Sequence, residues 1–149
     1  MSKLKLVDYL SASIGVIAGM ISGFLGGWTT GLQVLIICMV SDFITGIIVA
    51  ILCKSKRTEN GGLKSDVLFK GLCKKILTLL IVGLSYQLER VTGFAGIKDI
   101  VIIGYIVNEI VSILENAGLI GVPLPSILTK VLEVLQKKVD EVEPSDLEK

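Results

Sequence analysis

The segment Tyr9–Leu52 reads YLSASIGVIAGMISGFLGGWTTGLQVLIICMVSDFITGIIVAIL and contains one charged side chain, that of Asp42. A helix needs about 20 apolar residues to cross the roughly 30 Å hydrocarbon core of a bilayer. The segment is therefore long enough for two crossings, and the glycine-rich sequence at 26–31 supplies a turn between them. We predict membrane spans over residues 9–28 and 32–52.

A basic stretch, Lys54–Lys75, follows the second span and holds seven lysines and arginines against two acidic residues. The apolar sequence on its far side predicts a third span over 72–88 and a fourth over 97–114. Basic loops are typical of the cytoplasmic face, so four spans place both chain termini in the cytoplasm. The alternative is that spans three and four lie partly in the membrane interface as amphipathic helices.

The last part of the chain is more polar. Pro123 and Pro125 end the fourth helix, and an apolar face predicts an amphipathic helix over 126–142 before an acidic tail at 143–149. This helix is expected to lie on the membrane surface or against the protein, and docking of a soluble partner is the alternative. The whole chain, 1–149, is predicted to be a single all-α domain, a polytopic membrane protein.

A row of small residues marks the first span. Its members recur at every fourth position and are Gly15, Gly19, Gly23 and Gly27. Such a row makes a shallow groove along one helix face, where a second helix can approach closely. The row is predicted to be a helix-packing or oligomerisation seam, with a partner either within the chain or in another copy.

Polar side chains inside the predicted spans are candidates for a pore or an assembly site. They are Asp42, Asn108, Glu109 and Ser112. An ionised carboxylate within hydrocarbon costs a few kcal/mol, so Asp42 is expected to be paired, protonated or facing water. Ser41 and Thr45 are neighbouring hydroxyls that are predicted to donate to it.

Three lysines near the start of the third span, Lys70, Lys74 and Lys75, are predicted to anchor the chain at the inner leaflet. Long lysine side chains reach from an apolar helix to lipid phosphates. Because the basic stretch lies between apolar spans, it is interpreted as a membrane loop rather than as a nucleic-acid site.

Residue types that carry enzyme chemistry are scarce. The chain has no histidine, and its three cysteines form no C-x-x-C pair. No motif resembles a nucleophile, a metal cluster or a nucleotide loop. We therefore expect no catalytic activity, no cofactor and no metal site.

Two stretches carry a resemblance to a known family. The first is DFITG at 42–46 with the later pairs Lys70-Gly71 and Lys74-Lys75; the second is NEIVSILEN at 108–116 followed by GVPLP at 121–125. Together they resemble the holin family, which includes phage lysis holins and toxin-secretion holins of Gram-positive bacteria. The likeness covers roughly residues 42–138 and does not include the glycine row.

The resemblance implies a small integral protein of the bacterial (host) cytoplasmic membrane that forms homo-oligomers. It implies lesions through which an endolysin or a toxin leaves the cell. The expected partners are the lipid bilayer, other copies of the chain and the released cargo, without nucleic acid.

Two other functions remain open on the sequence. One is a small ion- or proton-coupled transporter that uses Asp42 and Glu109. The other is a membrane scaffold or a holin antagonist (antiholin) that forms no pore and binds a soluble partner through its last helix.

Overall fold

The structure, a computed structural model, describes residues 3–58 and 60–140, and these residues form five α-helices and no strand. The helices are α1 Lys3–Phe24, α2 Thr30–Ile51, α3 Ser65–Thr92, α4 Ile97–Ile120 and α5 Ser126–Asp140. The all-α prediction is confirmed for this part of the chain. By length and composition, Val7–Phe24 and Thr30–Ile51 are apolar enough to cross a membrane.

Helices α2, α3 and α4 form a bundle in which α4 packs against both of the others. The apolar core lies at one end of it, where the first half of α2, the last third of α3 and the start of α4 meet. Its buried members are Leu25, Leu32, Leu35, Met39, Val82 and Ile102. The other end of the bundle contains a cavity instead, lined by both apolar and charged residues.

Helix α1 lies outside this bundle. No residue between Val7 and Phe24 is buried, and α1 contacts the other helices mainly through α3 near its own C-terminal end. The helix ends at Phe24, so the predicted span 9–28 extended too far. Gly26 and Gly27 have φ angles of 76° and 87°, a left-handed conformation that ends a helix.

The next helix begins at Thr30, where the Thr29 hydroxyl accepts a hydrogen bond from the Leu32 amide at 3.3 Å. This is the usual N-cap arrangement, and it places the helix start two residues before the predicted one.

The third and fourth helices are longer than the predicted spans 72–88 and 97–114. Helix α3 has 28 residues and begins within the basic stretch, because lysine is compatible with a helix even where it is unfavourable in hydrocarbon. Helix α4 has 24 residues and ends at Gly121, whose φ angle is 100°. Helix α5 matches the predicted amphipathic helix as far as Asp140; residues 141–142 and the tail at 143–149 lie outside the described residues.

Three contacts hold the C-terminal end of α1 against the bundle. The Phe24 ring fits against Gly83 of α3, at a position where a Cβ atom would overlap the ring. The Gln87 amide donates to the Phe24 carbonyl oxygen at 3.1 Å. The buried Lys98 ammonium donates to the Gly26 carbonyl oxygen at 3.2 Å and lies 5.3 Å from the centre of the Tyr86 ring. A lysine in this place stabilises the carbonyl-rich end of α1.

Replacing Gly83 with alanine is expected to lower the free energy of unfolding by about 1–3 kcal/mol, because the new methyl group must displace the Phe24 ring. Thermal unfolding in mild detergent measures the change. Gly71→Ala is the matched control on α3, since a Cβ atom there meets nothing within 4 Å. Equal stability of the two variants would show that α1 is not held by this contact.

Candidate functional site

Three charged side chains, one from each helix of the bundle, meet in a buried ion cluster. The Lys75 ammonium of α3 lies 2.8 Å from Asp42 Oδ2 of α2 and 2.6 Å from Glu109 Oε2 of α4. The three side chains are between 10% and 13% exposed. The cluster therefore links the helices through charge as well as through apolar packing.

An amide from α4 completes the surroundings of Asp42. Asn116 Nδ2 lies 3.3 Å from Asp42 Oδ1 and 3.0 Å from Thr45 Oγ1. The Thr45 hydroxyl donates to the Asp42 carbonyl oxygen at 3.0 Å, so the prediction that it donates to the carboxylate is wrong. Within the described part of the chain, every buried side-chain nitrogen and oxygen has a hydrogen-bond partner.

The charges of the cluster are unequal. Two carboxylates share one ammonium, so the fully ionised cluster carries a formal charge of −1. The sequence left three possibilities for Asp42: paired, protonated or facing water. In the structure its carboxylate is paired with the Lys75 ammonium. Buried ion pairs are poor sources of net stability, but removal of one partner leaves an uncompensated charge and is costly. No group of three or more His, Cys, Asp or Glu residues in the described ranges is placed to hold a metal ion.

The position of Lys75 corrects its predicted role as an inner-leaflet anchor. Its ammonium is held by Asp42 and Glu109, whereas Lys70 and Lys74 are exposed. One residue advances a helix by about 100°, so Lys75 points away from the face that Lys70 and Lys74 share at four-residue spacing. This spacing separates Lys75 from the other two lysines, so the three do not form one group.

A cavity of about 480 Å³ lies between α2, α3 and α4 and extends from the ion cluster to the loop that connects α2 and α3. Its lining includes all four polar candidates from the sequence: Asp42, Asn108, Glu109 and Ser112. The structure therefore brings these residues to one place and adds Lys75 and Asn116 to them. The cavity is open, so water can reach these charged residues.

The glycine row lies elsewhere. Gly15, Gly19 and Gly23 are on α1, and a Cβ atom at any of them would meet nothing within 4 Å. Gly27 is in the turn after α1, so it does not continue the row on the helix. Within the described residues, no helix of the same chain covers this face.

Comparisons with known proteins were made over the whole sequence. A model described as "Bacteriophage holin family" matches residues 19–137, which extend from the second half of α1 into α5. An uncharacterized protein of Listeria innocua is 32% identical over 137 residues, covering 89% of this chain and 93% of that protein.

Two other relatives match the chain over most of its length. An uncharacterized 14.9 kDa protein of Clostridium perfringens is 30% identical over 136 residues, covering 90% of this chain and 98% of its own length. A probable holin of Bacillus phage phi105 is 27% identical over 124 residues, covering 83% and 87%. No solved structure matches the chain.

Proposed function

This chain belongs to the bacteriophage holin family, and we propose that it assembles in the bacterial cytoplasmic membrane into lesions that release an endolysin or a toxin. The structural observation that carries the proposal is α1, an apolar helix whose residues from Val7 to Phe24 are not buried within the chain. A helix of this kind needs lipid or a second copy around it, and its open glycine row favours the second copy along one face. The proposed role is not catalytic.

The proposed topology has four crossings and both termini in the cytoplasm. Helices α3 and α4, at 28 and 24 residues, are about 42 and 36 Å long, enough to span the hydrocarbon core. The basic loop lies at one end of the bundle, and that end is assigned to the cytoplasm by its charge. The exposed Lys70 and Lys74 then reach the inner leaflet as anchors.

The ion cluster is assigned to the water path. In the single chain, Asp42 and Glu109 are compensated by Lys75 and face the cavity together with Asn108 and Ser112. Assembly of several copies brings several such ion clusters into one structure, each with an excess negative charge that water stabilises. Because an ionised side chain is unfavourable in the hydrocarbon core, the assembled state, in which water surrounds these charges, is favoured.

The proposal is tested by inducible expression in a bacterium together with an endolysin that has no export signal. We expect a membrane-impermeant dye to enter the cells and the endolysin to reach the wall, followed by lysis. Cells with endolysin alone are the control.

Two outcomes would contradict the proposal. Selective ion flux in liposomes that retain macromolecules would indicate the transporter. An intact membrane, with a soluble partner bound only when α5 is present, would indicate the scaffold or antiholin.

A further inference from the structure

The end of the cavity far from the ion cluster is basic. Lys56 and Arg57 of the α2–α3 loop and Lys64, the residue before α3, line it, and we call these three residues the basic mouth. Among the described residues, the ion pairs within 4.0 Å are those of Lys75 with its two carboxylates. In the part of the chain that the structure describes, the cations of the basic mouth therefore have no carboxylate within 4.0 Å; Glu115 lines the same cavity outside that distance.

The start of α3 adds to this positive potential. Lys64 is the N-cap residue of α3, and its side chain makes no capping hydrogen bond. The first amides of a helix carry a partial positive charge; those of Val67 and Leu68, which line the cavity, donate to the Lys64 carbonyl oxygen. Asp66 is the acidic residue in this first turn, and its side chain is exposed and outside the cavity lining.

The walls behind the basic mouth are largely apolar. Phe43 and Ile47 of α2 line this part of the cavity, as do Leu77 and Ile81 of α3. The lining of α3 runs from Val67 to Ile81, about 20 Å at 1.5 Å per residue. A cavity of about 480 Å³ is within the usual range for small-molecule sites. A ligand that fits both regions has an anionic head and an apolar chain.

We propose that the cavity binds an acidic phospholipid, with the phosphate at the basic mouth and part of an acyl chain along the apolar walls. The phosphate accepts hydrogen bonds from the cations of the basic mouth. The inference rests on the proposed placement of this end at the cytoplasmic leaflet, and it does not require lesion formation.

The test uses the full chain in mild detergent, with phosphatidylglycerol, phosphatidylcholine, inorganic phosphate and glycerol 3-phosphate as separate probes. Retention of lipid in native mass spectrometry and the shift in thermal unfolding are measured. We expect phosphatidylglycerol to be retained and to stabilise the protein, and the other three probes to have little effect.

Variants locate the site. Arg57→Gln/Lys64→Gln is expected to weaken phosphatidylglycerol binding at least about tenfold, because each cation near a lipid headgroup adds severalfold. Lys130→Gln/Lys137→Gln removes the same charge from exposed residues of α5 outside the cavity lining and is expected to retain binding. The charge-conserving pair Arg57→Lys/Lys64→Arg is expected to retain binding and shows that loss in the first variant is not misfolding.

Three results would overturn the inference. Equal loss in the two glutamine pairs would indicate general surface charge, and equal retention of phosphatidylcholine would indicate an apolar site. Full stabilisation by inorganic phosphate would assign the basic mouth to a soluble anion. Absence of dye entry in cells, with phosphatidylglycerol binding intact, would reject the proposed lesion and leave the lipid site standing.

Discussion

Lys75→Gln is expected to lower the free energy of unfolding by about 3–5 kcal/mol, because it leaves Asp42 and Glu109 buried without a counter-ion. Of the single substitutions in the ion cluster, it should lower the free energy of unfolding most, since it makes the formal charge of the site more negative, from −1 to −2. Thermal unfolding in mild detergent and the amount of protein that accumulates in the membrane report the effect. Lys74→Gln, at the neighbouring exposed residue, is the matched control and should unfold like the parent protein.

The two carboxylates should respond differently from the lysine. Asp42→Asn or Glu109→Gln leaves one carboxylate with Lys75, a neutral pair, so each should cost less than Lys75→Gln. The triple variant Asp42→Asn/Lys75→Gln/Glu109→Gln carries no charge in the cluster and should recover most of the stability. If Lys75→Gln were no worse than Asp42→Asn, the charges would be hydrated in the single chain, and the buried cluster would not exist in solution.

The same set of variants separates stability from lesion formation. If Asp42 serves mainly to hold the single chain together, Asp42→Asn should keep dye entry or make it earlier. If its charge belongs to the water path, the variant should still oligomerise while dye entry is lost. Cross-linking in membranes, measured beside dye entry, distinguishes the two.

The carboxylates of the cluster were predictable from sequence, and their partner was not. Asp42 is conspicuous because it is the single charge in a long apolar segment, and Glu109 because it lies on an apolar helix. Lys75 is one lysine among several in a basic stretch, and its spacing from Lys70 indicates at most that it faces another way. The pairing itself depends on how α3 packs against α2 and α4, which no local pattern encodes.

The helix boundaries could also be predicted only in part from the sequence. The predicted span boundaries were placed where the uncharged segments begin and end. Helix α3 begins earlier, at Ser65 inside the basic stretch, because lysine residues are compatible with an α-helix. The first span was predicted to end at residue 28, whereas the left-handed Gly26 and Gly27 end the helix earlier. Lys98 was not recognised, since a lysine in the first turn of a helix is ordinarily exposed; here it is buried against the end of α1.

Gly19→Leu is expected to leave the single chain as stable as before and to abolish its self-association. A Cβ atom at Gly19 meets nothing within 4 Å in the chain, and leucine is a better helix former than glycine. Across a close helix–helix contact, the added bulk costs about 1–3 kcal/mol per interface, which weakens association about fivefold to 150-fold. Light scattering in mild detergent should show a shift toward monomer, and dye entry in cells should be lost or strongly delayed.

The control for this prediction is Ile17→Phe, which adds bulk about 160° away on the same helix. Ile17 is exposed, so this change also leaves the single chain unstrained, but it faces lipid if the glycine row faces the partner. Normal assembly of Ile17→Phe with monomeric Gly19→Leu would assign the seam to the glycine face. The reverse result would place the partner on the isoleucine face, and the row of small residues would then reflect only the tolerance of a membrane helix for glycine.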